Sequence, residues 1–289
     1  MKLFTKILIC AILAAVLVAP SFAASKAPTD GLVIYYDFEE AGTVVKDTVG
    51  KNNFEDVDAS RFVDGYKGKA LSFNGTNDQI LHLMVGERYD WNQGWTLASE
   101  ITCPNPNKSF SVSAWIKSEF KADGAVFCWG SFAGATGTWA FVQANSSNVC
   151  LANVDGSFTN YGYAWNSDTN LYGEDATRVD DNQWHNVVFV YDSAQQTAFV
   201  YIDGKLYHEN PVKEMEVDPF DNYFYVGGRS ADSPFNGLID ELRIYNRAVT
   251  ADEVATLAEI GAANTADYTA IAVLAAAICG AVLVIRKKH

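Results

Sequence analysis

The sequence predicts an all-β protein whose residues 31–248 fold as an antiparallel two-sheet sandwich of the jelly-roll kind. Three observations carry this. Short runs rich in Val, Ile, Phe, Tyr and Trp alternate with Gly, Asn, Asp and Ser turn residues throughout that stretch. No strand–helix–strand rhythm and no glycine-rich phosphate loop breaks the pattern. Apolar residues make up 49% and charged residues 19% of the 289, which supplies a core and argues against disorder.

In chain order, the first element is an address. Lys2 and Lys6 precede an apolar run at 7–18, with small residues at Ser21 and Ala23, and residues 1–23 read as a secretory signal peptide. A lipoprotein site at Cys10 is the alternative; it would cut the apolar run short and puts the bulky Ile9 before the cysteine. Residues 24–30 form a linker. Strands are expected at 32–38, 70–73, 80–84, 110–117, 125–129, 138–144, 148–154, 184–191, 198–202, 205–208, 223–226 and 237–245. In Ser111-Val112-Ser113-Ala114-Trp115-Ile116, small or polar residues alternate with larger apolar ones, the mark of a half-buried strand. Asp203-Gly204 between two runs predicts a type I′ hairpin, whose central residues both need φ > 0. Stretches 86–108 and 155–175 read as irregular insertions. Within 249–267, a short helix and linker, Thr250 and Glu253 have the spacing of a capping box. Residues 268–285 are eighteen without a charge, long enough for a transmembrane helix, and Arg286, Lys287 and Lys288 predict that 286–289 stay cytoplasmic.

The charge balance narrows the partners. Lys and Arg number 21 against 35 Asp and Glu, a formal −14. Five of the basic residues (Lys2, Lys6, Arg286, Lys287, Lys288) belong to the ends, so the exposed part holds 16 against 35, or −19. Such a surface disfavours nucleic acid and anionic headgroups. Clustered carboxylates also offer oxygens to calcium. Cys103, Cys128 and Cys150 are an odd set and no disulfide framework. The strand order expected puts another strand between Cys128 and Cys150, a gap of roughly 9–10 Å that exceeds disulfide reach.

Few residues point to catalysis. Glu214, Glu216 and Asp218 alternate, so on a strand they would share a face. Paired carboxylates about 5–5.5 Å apart can run retaining glycoside hydrolysis. The segment lies between Pro211 and Pro219, and a solvated acidic edge is the simpler reading. His82, His185 and His208 lack metal-like spacing, and no Gly-x-Ser-x-Gly elbow is present. For sugar contact, Trp91 and Trp95 stand among Asn and Gln in the first insertion, and Tyr161, Tyr163, Trp165 and Tyr172 among Asn and Asp in the second. Flat rings beside amides and carboxylates suit a pyranose, though rings of this kind also pin loops onto a sandwich. Trp115 and Trp184, inside strand patterns, read as core.

Seven segments in order carry a family resemblance. They begin at Gly31-Leu32-Val33-Ile34-Tyr35-Tyr36-Asp37-Phe38, Lys46-Asp47-Thr48-Val49-Gly50-Lys51-Asn52-Asn53, Gly68-Lys69-Ala70-Leu71-Ser72-Phe73 and Phe110-Ser111-Val112-Ser113-Ala114-Trp115-Ile116-Lys117. Gln183-Trp184-His185-Asn186-Val187-Val188, Tyr201-Ile202-Asp203-Gly204-Lys205 and Gly237-Leu238-Ile239-Asp240-Glu241-Leu242-Arg243-Ile244-Tyr245 follow. Together they resemble the laminin-G-like, concanavalin A-like lectin and glucanase jelly roll of bacterial surface proteins. The resemblance implies a structural calcium ion held by Asp47 and Asn53 of the early turn and Asp240 of the last strand; an Asx-turn with solvated acids is the alternative. It also implies Glu-x-Asp-x-Glu for a glucanase, an order that Glu214, Glu216 and Asp218 do not follow. The C-terminus resembles the sorting signal of Gram-positive wall proteins, with Asn264-Thr265-Ala266-Asp267 in the motif position but Ala266 where glycine is usual. The expectation is a calcium-stabilised, membrane-anchored cell-surface module that binds a glycan or a surface protein. A membrane-anchored glycoside hydrolase and a ligand-free structural protein are the alternatives.

Overall fold

Alternation at period two sends successive side chains to opposite faces of a sheet, and the run Thr197–Ile202 shows it as strictly alternating burial. A computed structural model describes residues 26–84, 87–90, 94–97, 108–118, 124–129, 140–145, 148–153, 179, 181–211, 223–228 and 234–260. Pro28–Ala258 form one unit; Met1–Ala27 and Glu259–His289 form a second, of which only residues 26, 27, 259 and 260 are described.

The described strands are β1 (Leu32–Tyr36), β2 (Phe62–Asp64), β3 (Lys69–Asn74), β4 (Leu81–Met84), β5 (Glu87–Asp90), β6 (Gly94–Leu97), β7 (Phe110–Lys117) and β8 (Gly124–Trp129). They continue with β9 (Ala140–Asn145), β10 (Asn148–Asn153), β11 (Trp184–Asp192), β12 (Thr197–Ile202), β13 (Lys205–Pro211), β14 (Tyr223–Val226) and β15 (Asn236–Tyr245), and α1 (Ala251–Glu259) closes the series. The larger sheet runs β13-β12-β11-β7-β15-β3-β2, with β1 also paired to β15; the smaller runs β10-β9-β8-β14-β4. All pairings are antiparallel. This is the two-sheet, all-β architecture the sequence predicts. Two pieces differ. β5 and β6 pair as a hairpin inside the stretch expected to be irregular, and β2 is a three-residue strand that the pattern did not reveal.

The core lies between the sheets. Phe110, Val112, Ala114 and Ile116 of β7 and Val187, Phe189 and Tyr191 of β11 point into it. Phe127 of the smaller sheet meets Phe189 of the larger, ring centroids 5.8 Å apart, and stacks on Phe224 at 6.0 Å. Gly227, at φ +75, lies so close to Phe73 that a Cβ would come within 2.0 Å of its ring. Cys128 is buried on β8, and β9 separates that strand from β10, which carries Cys150.

Local chemistry closes the turns as expected. Asp203 and Gly204 take φ +49 and +76 between β12 and β13. The Thr250 N–H donates to Glu253 Oε2 at 2.8 Å and the Glu253 N–H to Thr250 Oγ1 at 3.3 Å, which completes the capping box of α1. Among the described residues no helix is long and apolar enough to cross a membrane. The expected signal peptide, 1–23, and apolar helix, 268–285, lie outside them.

Candidate functional site

The face of the larger sheet turned away from the core concentrates the polar and aromatic chemistry. On β7 that face carries Ser111, Ser113, Trp115 and Lys117, the alternates of the core residues. Directly opposed residues of antiparallel strands share a face. Trp184 lies opposite Lys117, and both Asn186 and Asp240 lie opposite Trp115. Trp115 is therefore buried, 6% exposed, but on the outward side, and Trp184 is only half-buried. The core role expected of these two rings is corrected on that point.

Tyr66 completes an aromatic group that the sequence did not disclose. It sits in the turn between β2 and β3, closed by a Gly65 N–H to Gly68 O bond of 2.9 Å. Its ring lies flat on Trp115, centroids 3.5 Å apart and 11° from parallel, and edges Trp184 at 6.0 Å and 63°. Burial pushes the Tyr66 hydroxyl up to about 12, helped by Asp203, Glu241 and Asp240. That phenol is a neutral donor at every physiological pH.

A β-bulge supplies the charged part. The register of β15 against β7 slips between Asp240 and Arg243, and Glu241 adopts φ +50, uncommon for a residue with a Cβ. The bulge sets two consecutive carboxylates, both fully buried, beside the aromatic group. Glu241 Oε1 accepts from Tyr35 Oη at 2.8 Å and from Lys67 Nζ at 3.0 Å, while Arg243 pairs with Oε2 and lays its guanidinium 4.1 Å from the Tyr35 ring centre. Burial opposes ionisation of Glu241, but Arg243 and these donors outweigh it and hold the carboxyl below its usual range. Asp240 has no such cation. Burial, reinforced by the charges of Glu241 and Glu39, raises it to about 7 against the N–H bonds from Lys67 and Glu241.

At the end of the same strands, His185 is held between two acids. Nδ1 lies 2.8 Å from Asp203 Oδ2 and Nε2 lies 3.1 Å from Asp181 Oδ1. The Asp203 bond raises the imidazole above its ordinary value against the opposing effect of burial, and Asp181 adds to it. With carboxylates at both nitrogens, the ring donates to both when it is protonated.

The residues expected to hold calcium separate into two groups. Asp47 and Asn53 meet, since the Asp47 N–H donates to Asn53 Oδ1 at 3.0 Å. The Asp47 carboxylate is fully used as an acceptor: Oδ1 takes the N–H of Tyr35, Val49 and Gly50, and Oδ2 takes the backbone and side-chain N–H of Asn52. That is an Asx-type turn, and it leaves those oxygens poorly suited to a cation. Asp240 fits one better. It is a buried acid of raised pKa, near a second carboxylate, Glu39, and two glycines give these oxygens room: a Cβ on Gly65 would lie 2.7 Å from Asp240 Oδ2, and one on Gly68 2.0 Å from Glu39 Oε2. Among the described residues no three His, Cys, Asp or Glu side chains group to hold a metal ion. Trp91, Tyr161, Tyr163, Trp165, Glu214, Glu216 and Asp218 lie outside the described residues, as does the side chain of Trp95, whose backbone belongs to β6.

The family model Laminin_G_3, concanavalin A-like lectin/glucanases superfamily, matches residues 90–255. No curated protein matches the chain. Among solved structures, a Trypanosoma rangeli sialidase aligns at TM-score 0.56 and 17% identity, over 83% of this chain and 34% of the sialidase. The chain thus spans about a third of that enzyme's length. Domain 4 of AbnA, a GH43 extracellular arabinanase from Geobacillus stearothermophilus, solved with arabinotriose, aligns at 0.51 and 20%, over 78% of this chain and 98% of the domain. The binding domain of Paraclostridial Mosquitocidal Protein 1 aligns at 0.52 and 16%, over 79% of this chain and 52% of that one. At these identities the likenesses establish the fold.

Proposed function

The chain belongs to the concanavalin A-like lectin/glucanase superfamily, and on that premise we propose that it is a glycan-binding module displayed outside the cell. The observation that carries this reading is the half-buried pair Trp184 and Tyr66 on the outward face, bordered by Asp203 and Lys117. A pyranose needs an apolar face to stack on and polar groups for its hydroxyls, and this border offers both. Trp91, Trp95, Tyr161, Tyr163 and Trp165 are proposed as further ring contacts from the two insertions. The arabinanase domain solved with arabinotriose shows that this architecture can hold an oligosaccharide. A glycan panel that includes arabinotriose tests the reading. Trp184→Ala should weaken the best binder at least roughly tenfold, with little change in melting temperature. A blank panel, or affinity indifferent to Trp184 and to the insertion aromatics, sinks it.

Calcium and the tether are the remaining parts of the proposal. We assign the ion to the buried Asp240 and the exposed Glu39 with backbone carbonyls, where a cation would offset the charge of Asp240 beside the buried Glu241, and leave Asp47 and Asn53 to shape the adjoining turn. Chelation should then lower the melting temperature and calcium restore it, a gain in stability of about 2.7 kcal/mol at a hundredfold excess over Kd. No response to either addition would count against the ion. Export by residues 1–23 and anchoring by 268–285 are proposed on sequence grounds. Release of the intact domain by salt washing of membranes would contradict the anchor.

A further inference from the structure

The glycan reading takes Trp184 as a contact, and the next residue along the chain is the doubly bonded His185. We propose that His185 is a pH-sensitive clamp on this site: its imidazolium ties the loop before β11 to the β12–β13 hairpin and so fixes Trp184, and neutralisation releases the loop. The inference rests on the glycan reading for its biological use, but not for its geometry.

The two tethers are unequal. Asp203 is held independently of the ring, since its Oδ1 accepts the Asn186 N–H at 2.9 Å and its own N–H donates to Asn186 O at 2.8 Å. Asp181 is held differently. Its Oδ1 accepts from His185 and from the Gln183 N–H; among the described residues of this loop, the Asn182 N–H also donates to Ser118 O at 2.8 Å and Val179 is buried in the core, so the freedom gained on losing the His185 bond is confined to the stretch around Asp181. Among the described residues, the other neighbours of the ring add no charge that would override these acids. Its register partner on β7 is the apolar Ile116, Lys117 faces Trp184 instead, and Tyr66, from the β2–β3 turn, responds to Asp203.

A neutral imidazole keeps one N–H and turns a lone pair toward the second carboxylate, where two acceptors repel. The shorter, better anchored Asp203 contact keeps the proton on Nδ1. The break falls at Asp181, three residues before Trp184. The imidazolium form prevails below its pKa, so Trp184 is fixed at acidic pH and loosened as pH rises.

The test uses the full chain labelled with 5-fluorotryptophan, its Trp184 fluorine resonance identified with Trp184→Phe. That resonance should titrate once, with a midpoint above about 6.5, the ordinary value for histidine. His185→Gln should flatten the titration. Asp181→Asn should shrink it, because the new amide can donate to the bare Nε2. A flat wild-type resonance, or one that titrates unchanged in His185→Gln, overturns the clamp. Arabinotriose, and the best binder of the glycan panel, should bind roughly threefold more weakly at pH 8.5 than at pH 6. Titration of Trp184 with pH-independent binding overturns the coupling to the site. Titration with no glycan bound at either pH leaves the clamp standing and fails the glycan reading instead.

Discussion

β7 has two buried faces, and they are built on different principles. Inward, Phe110, Val112, Ala114 and Ile116 meet other apolar groups, and their burial is stabilised by the transfer of surface out of water. Outward, Ser111, Ser113 and Trp115 are just as hidden, yet four of their six partners across the strands, Tyr245, Arg243, Asn186 and Asp240, are polar, charged or aromatic, against Val188 and Val190. Low exposure therefore does not identify the core of a sandwich. The inward face is tolerant in detail and costly in bulk, whereas the outward face depends on particular bonds, and substitution should separate the two.

The largest effect is expected inward. Phe189→Ala removes a ring in contact with Phe110 at 5.3 Å and Phe127 at 5.8 Å, and should lower stability by about 4 kcal/mol in chemical denaturation. Phe189→Leu should recover much of that loss. Outward, Glu241→Ala strips the buried Arg243 of its carboxylate and should cost about 3 kcal/mol. There, however, the conservative Glu241→Gln should recover little, because charge rather than volume is what Arg243 and Lys67 require. If Gln rescues Glu241 as well as Leu rescues Phe189, the contrast between the faces collapses. Ser111→Ala is a smaller probe. Its hydroxyl donates to Arg247 O at 2.9 Å and accepts the buried Val249 N–H at 3.0 Å, so roughly 1–2 kcal/mol should be lost with almost no change in volume.

The smallest effect expected is a slope with pH. His185 has a folded-state pKa raised above the unfolded value, so its contribution is fully present below about 6.5 and is lost as pH rises through the folded pKa. The denaturation midpoint of wild type should fall between pH 6 and 8.5 relative to His185→Gln. A parallel course of the two proteins would remove His185 from the outward network.

Most strands were legible because alternation is a local signal. The runs at 110–117 and 223–226 match β7 and β14 to the residue, and Asp203-Gly204 and Thr250 with Glu253 each carry a complete short-range mechanism. The outward site was legible only in part. Trp115 shares its parity with Ser111 and Ser113, and that parity places it on the outward face; its place inside a strand pattern suggests the core instead. Tyr66 reaches Trp115 from a separate turn, a contact that no local pattern encodes. The bulge was hidden for a different reason: Glu241 takes a conformation typical of glycine without being glycine, held by the bonds to its side chain rather than by backbone preference. For calcium, Asp47 has the right residue type and spacing, but the backbone of its own turn consumes the oxygens.

The pairing of β1 with β15 bears on how the domain responds to force. β1 enters opposite the end of β15, with Leu32 against Tyr245, and the strands run in opposite directions. The clasp there is short: Asn246 N–H to Gly31 O at 2.8 Å, Tyr245 Oη to Pro28 O at 3.1 Å and Arg247 Nε to Asp30 O at 3.0 Å. Tension applied between the two ends of this unit would load these bonds one after another, as in opening a zip, rather than all together in shear. Tension between the C-terminal end and a ligand on the outward face would bypass the clasp and pass through β15, which is bonded on both sides within the larger sheet. Were the domain held at its C-terminal end and pulled through such a ligand, it would be loaded along its stronger direction.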